Sequence, residues 1–386
     1  MLRSEAIVDL AAIRANVETL RSGTEAELMA VVKADGYGHG LVPAARAALA
    51  GGARWLGVAM IEEALALRAA GIREPVLAWL WTRQETDELR LAVDAGIDLT
   101  VSSTAALETV LATAAESATP ARLHLKIDTG LSRNGATPAD WPALVTAAGR
   151  AAAEGTVDII GIWSHLVSAD VPDHPTTKSQ IEVFTEALDI AAALGVRPQV
   201  RHLANSAATV TEPAAHFDLV RTGVAIYGLS PVPERGDFGL VPAMTLRSHL
   251  ANVKRVPGGT GVSYGHDYLT DRDTTLALVP LGYADGIARN ATNLGPVSIG
   301  GRRYRISGRV AMDQFVVDVG DAAVSEGDEV ILFGPGTAGE PTAQDWADAL
   351  DTIHFEIVTR IGARVPRTYR GLDQVWADDS KPASTR

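Results

Sequence analysis

The segment AVVKADGYGHG, residues 30–40, sets Lys33 at the end of an apolar run and follows it with a loop of glycines, a tyrosine and a histidine. A lysine held among apolar walls has a lowered pKa. Its neutral amine is then free to add to an aldehyde as a Schiff base. Lysine is scarce here, at positions 33, 126, 178, 254 and 381 against 34 basic residues in all, so one in an apolar strand stands out. Further polar residues close other apolar runs: Trp81, Arg133 in KIDTGLSRNG, His165 in GIWSHL, His202, Asn205 and Ser206 in VRHLANSA, and Arg221 and Gly223 in LVRTGVAIYG.

Eight β-like runs alternate with helical ones between residue 28 and about 240: 28–32, 55–58, 76–80, 98–101, 123–127, 159–163, 200–203 and 219–227. Residues 178–194 place Ile181, Phe184, Leu188 and Ala191 on one helical face. Eight units in about 240 residues suit an α/β fold of the (β/α)₈ TIM-barrel type, residues 1–240, with a doubly wound open sheet as the structural alternative. From 241 to 386 short alternating runs separated by Gly and Pro suggest a mainly β domain closed by short helices near 342–350 and 352–360, with the tail DDSKPASTR loose. In a barrel of this type chemistry sits at the C-terminal ends of the strands, where these polar residues fall, drawn from six strands. The loops after strands seven and eight are the usual phosphate site: Ser206 opens a short helix there, and Gly223 permits close backbone approach. A phosphate there, with a lysine reaching across from strand one, suits pyridoxal phosphate.

The formal net charge is -13 and no basic block occurs, so nucleic acid is not an expected partner. Cysteine is absent, which excludes disulfides, thiolate metal sites and cysteine nucleophiles. No secretory signal or bilayer-spanning run is legible, so no membrane partner and a cytoplasmic location are expected.

Each polar residue has a plainer reading. A lone strand-end lysine more often snorkels to solvent than reacts. His165 or His202 alone is more often a satisfied core histidine, GTGVSYGHDY reads as a hairpin turn with a structural Tyr264, and rim carboxylates are too scarce for an expected metal. These readings suffice one at a time; together they leave the convergence at one rim unexplained.

The motifs jointly resemble alanine racemases, fold-type III pyridoxal phosphate enzymes. AVVKADGYGHG is similar to that family's cofactor-lysine signature, and KIDTGLSRNG, WSHLVSAD, RHLANS, LVRTGVAIYG, VSYGHDY, LGYADG, GRVAMDQ and RVPR follow in the family's order, from residue 4 to about 370. The resemblance implies an N-terminal barrel, a C-terminal β domain and a head-to-tail homodimer with shared active sites. It implies racemisation of L- and D-alanine by a two-base mechanism, supplying D-alanine for peptidoglycan.

Residue by residue, it implies that Lys33 bonds the cofactor and serves as one base, with Tyr264 from the partner subunit as the other. Tyr37, Ser206, Gly223 and Val224 would contact the phosphate, His202 and Asn205 would also border the cofactor, and Arg221 would face the pyridine nitrogen. His165 and Arg221 would support Tyr264. Arg133 and the Met312 amide would hold the substrate carboxylate, Arg133 also near the cofactor's phenolic oxygen, with Tyr283 contributing from the partner's side. Asp170, Arg289 and Arg309 would line the entrance. Lys126 matches a lysine often carbamylated in the family; an unmodified Lys126 paired with Asp128 is the alternative.

Ala311 and Ala363 stand where some relatives have cysteine and tyrosine. The second change widens access and raises a racemase of broader specificity as an alternative. A decarboxylase of the same fold type would need a cysteine acid. A single-barrel cofactor carrier would lack the β domain, and a Schiff-base aldolase would bind no coloured cofactor.

Overall fold

The computed structural model describes residues 2–171 and 173–376; the tail DDSKPASTR lies outside the described residues. The chain forms two compact units. One comprises Ile13–Gly36 and Leu41–Leu240, and the other the described residues of Met1–Ala12, Tyr37–Gly40 and Val241–Arg386.

The first unit holds eight parallel strands: β1 (Glu27–Val31), β2 (Trp55–Val58), β3 (Val76–Ala78), β4 (Asp98–Val101), β5 (Ala121–Lys126), β6 (Val157–Trp163), β7 (Val200–His202) and β8 (Leu219–Thr222). Their order in the sheet is β7-β6-β5-β4-β3-β2-β1-β8. Two backbone bonds bridge the β7/β8 seam and close the barrel, Asp218 N–H to Arg201 O at 3.1 Å and Arg221 N–H to Ala204 O at 3.0 Å. Parallel strands buried on both faces read as unbroken apolar runs, which is why their positions were legible. Met29, Trp55, Leu77, Ile160 and Leu219 form a core cluster, with Trp79 and Val200 packed against it.

Two readings are corrected here. The eighth strand stops at Thr222 because Gly223, at φ −102° and ψ −95°, breaks it, and Val224–Tyr227 forms a 3₁₀ turn. The long helix spans Pro175–Ala193 and buries Thr177, Gln180, Phe184, Ala187 and Ala191. Ile181 and Leu188 flank this stripe half-buried.

In the second unit a six-stranded sheet runs in the order Arg302–Arg305, Pro296–Ile299, Glu329–Phe333, Met244–His249, Ser4–Asp9, Arg367–Arg370. Ser4–Asp9, expected within a 1–240 barrel domain, therefore groups with this sheet. It pairs antiparallel with Met244–His249 and parallel with Arg367–Arg370. Glu5 fixes the placement, accepting from Arg247 and Thr368 at 2.7 Å each. A three-stranded sheet (Asn252–Val256, Thr274–Val279, Phe315–Gly320), a hairpin joining Gly261–Val262 to Tyr268–Leu269, and the helices Ala343–Leu350 and His354–Thr359 complete the unit.

Candidate active site

Lys33 follows β1 and opens a left-handed turn. Ala34, Asp35, Gly36 and Tyr37 all have φ between 51° and 61°, a run that L-residues rarely adopt. Glu63 and Asp35 hold it, Glu63 Oε1 accepting from Ala34 N–H at 2.6 Å and Asp35 Oδ1 from Leu41 N–H at 2.8 Å. The Lys33 amine is half-buried, 5.8 Å from the Trp79 ring centroid. Burial and the charge of Arg133 lower its pKa, opposed by Glu63.

Arg221, near the end of β8, is buried. Its Nη2 reaches Ser164 O at 2.8 Å, Leu203 O at 3.0 Å and His165 Nδ1 at 3.2 Å, while Nη1 reaches His202 Nδ1 at 3.2 Å. Burial lowers its pKa to about 9, so the guanidinium keeps its proton at neutral pH and can only donate. His165 is driven the other way. Burial, and then the charges of Arg221, Arg133, Lys126 and Lys33, push its pKa well below the usual imidazole value. It is a neutral ring accepting at Nδ1, which leaves Nε2–H as a donor.

Asn205 caps the helix Ser206–Thr211 by accepting from Ala208 N–H at 3.0 Å. Ser206 Oγ accepts from Gly223 N–H at 2.8 Å. These two groups and the neighbouring Val224 amide are thus gathered between the ends of β7 and β8. Among the described residues the buried Thr222 hydroxyl beside them has no hydrogen-bond partner.

Lys126 is buried at the end of β5, its Nζ 4.3 Å from the Trp163 ring centroid. Burial, then Arg221 and Arg133, lower its pKa to about 8. Among the described residues no ion pair joins it to Asp128, whose Oδ1 instead accepts from Gly130 and Ser132 N–H at 2.9 and 3.1 Å. Arg133 and Asp170 are exposed.

The structure thus brings Lys33, Lys126, Arg133, His165, His202, Asn205, Ser206, Arg221, Gly223 and Val224 to one unit. Tyr37, Tyr264, Tyr283, Arg289, Arg309 and Met312 belong to the other. Tyr37 is buried there against Phe355, ring centroids 6.3 Å apart, and burial raises its hydroxyl pKa. Tyr264 is 70% exposed and follows Ser263, which is strained at φ 61° and ψ −170° and pinned by its hydroxyl to Arg309 O at 2.7 Å. Arg309 pairs with Asp267. Tyr283 and Met312 are exposed and linked: Tyr283 N–H donates to Ala311 O at 3.1 Å and Ala284 N–H to Met312 O at 3.0 Å. A Cβ at Gly282 would lie 2.3 Å from both carbonyl oxygens, so only glycine admits this approach. Arg289 and Ala363 are exposed.

Motif reading passed over Asp98 and His124, which lie inside the barrel with His202. Asp98, His124 and His202 are wholly buried and hydrogen-bonded in series, with Arg122 also on Asp98. Their signal was available: Asp98 and His124 interrupt the apolar runs IDLTV and LHL.

A desolvated amine at a barrel mouth, in the same unit as a guanidinium that can only donate, defines a barrel suited to holding a carbonyl compound. The chain belongs to the alanine racemase family, whose N-terminal domain model matches residues 8–231 and whose C-terminal domain model matches 243–369. It is 60% identical to an alanine racemase of Salinispora arenicola over 372 residues, covering 96% of this chain and 99% of that one. An alanine racemase crystal structure from Streptomyces lavendulae superposes with a TM-score of 0.94 at 55% identity, covering 96% and 98%. The alanine racemase of Bacillus anthracis, solved with bound L-Ala-P, gives 0.89 at 34% identity, covering 96% and 95%.

Proposed function

We propose that this protein interconverts L- and D-alanine with pyridoxal 5'-phosphate, as a cytoplasmic homodimer whose product feeds peptidoglycan synthesis. The carrying observation is the half-buried Lys33 amine at the end of an apolar strand, in the same unit as the donor-only Arg221 and the Ser206–Gly223–Val224 cluster. That donor set fits a phosphorylated pyridine aldehyde: an amine for the aldehyde, a hydroxyl and backbone amides for the phosphate, and a guanidinium for the ring nitrogen. His202 and Asn205 border it. Bound there, the cofactor would supply the electron sink that acidifies the α-hydrogen of an amino acid.

The chain's own residues do the rest. Lys33 moves a proton on one face of the substrate, and Tyr264 of a second copy moves one on the other. A phenol with a pKa near 10 needs a donor to steady its oxygen, and the His165 Nε2–H offers one, fixed by Arg221 on its far side. Arg221, which has only N–H groups to offer, would donate to the ring nitrogen and so leave it unprotonated, which would favour prompt proton return over side reactions. Arg133 and the Met312 amide orient the substrate carboxylate, Tyr283 contributes beside them, and Asp170, Arg289 and Arg309 line the approach. The exposure of Tyr264, Tyr283 and Met312 supports a second copy as their complement.

Two measurements test this. The visible spectrum of the purified protein, before and after borohydride, should show a lysine-bound chromophore that becomes fixed; a colourless protein overturns the reading. Tyr264→Phe should abolish racemisation while the chromophore remains, and full activity would remove Tyr264 from the chemistry. Ala363, an exposed methyl where some relatives carry a tyrosine, favours a second reading of broader specificity. Comparable rates with serine or larger amino acids and with alanine would establish it.

A further inference from the structure

The barrel interior carries a hydrogen-bonded series whose direction is fixed by its two ends. Arg221 Nη1 lies 3.2 Å from His202 Nδ1, His202 Nε2 lies 2.8 Å from His124 Nδ1, and His124 Nε2 lies 3.1 Å from Asp98 Oδ2. Asp98, His124 and His202 are all 0% exposed, so water does not complete any of these contacts.

A guanidinium has only N–H groups, so His202 Nδ1 must accept. The His202 proton then sits on Nε2, pointing at His124 Nδ1, which must accept in turn. The His124 proton therefore lies on Nε2 and points at Asp98. A second proton on either ring would set two N–H groups against each other. The carboxylate is the natural terminus, since an ionised carboxylate accepts only. Burial opposes its charge, but the His124 and Arg122 bonds more than offset that and keep the Asp98 pKa low. Burial and the Arg221 charge likewise hold His202 neutral.

The surroundings are shaped for this arrangement. A Cβ at Gly161 would lie 2.2 Å from His124 Nδ1, so β6 needs glycine where the ring passes. Trp163 stacks on His202 at 5° between planes, and Trp55 meets His124 edge-on.

We propose that Asp98 is a positioning residue for the barrel mouth: acting through His124, it fixes the tautomer of His202 and so holds the Arg221 fork in register with His165. The proposal rests on the assignment of Arg221 to the reaction centre. Without a fixed acceptor at Asp98 both imidazoles could reverse, and His202 would then present an N–H to a guanidinium that has only N–H to give.

Isotope-labelled imidazole nitrogens in the wild-type holoenzyme, assigned with His124→Gln and His202→Gln, read the proton positions directly. Both rings should carry hydrogen on Nε2. In Asp98→Asn, His124 and His202 should become tautomer mixtures, kcat for alanine should fall about tenfold, and KM and cofactor content should stay within about twofold of wild type. A wild-type proton on either Nδ1 overturns the proposal, as does an Asp98→Asn enzyme with unchanged tautomers, whatever its activity. The proton positions are read without any racemase assay, so failure here and failure of the functional reading are distinguishable.

Discussion

Arg221 Nη2 stands 3.2 Å from His165 Nδ1 and also faces two backbone carbonyls, at 2.8 and 3.0 Å. One planar group thus ties the ends of β6, β7 and β8 together while giving His165 its tautomer. A lysine ammonium is a single point of charge and cannot span these acceptors. Arg221→Lys should lower kcat about a hundredfold and weaken folding by about 2 kcal/mol through the contacts left unmade. Steady-state kinetics with denaturant titration checks both; an enzyme unaffected in kcat would show that the fork serves packing alone.

Lys126 offers a chemical switch. With its pKa lowered to about 8, a useful fraction of the amine is neutral in mildly alkaline solution, and a neutral amine adds carbon dioxide where an ammonium does not. Carbon-labelled bicarbonate should give a carbamate resonance that grows between about pH 6 and pH 8 and is missing from Lys126→Met. That variant should lose about tenfold in activity, since Arg133 would lack the new carboxylate. No carbamate at any pH would leave Lys126 an ordinary buried amine beside Trp163.

His354 predicts an acid-sensitive second unit. Burial lowers its pKa to about 4, opposed by Asp348, and its Nδ1 lies 2.6 Å from Gln344 Oε1. The unfolded chain, with an imidazole near 6.5, binds this proton first. Stability is therefore full above about pH 6.5 and falls as pH drops toward about 4, by up to about 3 kcal/mol. His354→Gln should flatten this part of the stability-against-pH curve for the second unit; the same slope in the variant would assign it elsewhere.

Much of this was legible because barrel strands are short apolar runs between Gly and Pro, and because Lys33, His165, His202 and Arg221 interrupt such runs at their C-terminal ends. Ser4–Asp9 was not legible as part of the β unit. SEAIVD has the pattern of any half-buried strand, and its partners lie some 240 and 360 residues away, at Met244–His249 and Arg367–Arg370. Pro296–Ile299 opens with proline and is only four residues long, which leaves little alternation to read. Asp98 and His124 were visible as polar interruptions, but their meaning depends on which strand faces which across the barrel. Periodicity within one strand does not carry that information.

The backward-wound corner after Lys33 has a thermodynamic corollary. Ala34, Asp35 and Tyr37 each adopt a backbone shape that costs an L-residue about 1–2 kcal/mol, so the corner persists only while its clamps hold. The Lys33 amine therefore sits beside a strained stretch of backbone. Mild denaturant should disarm this protein while its circular dichroism still registers every strand and helix.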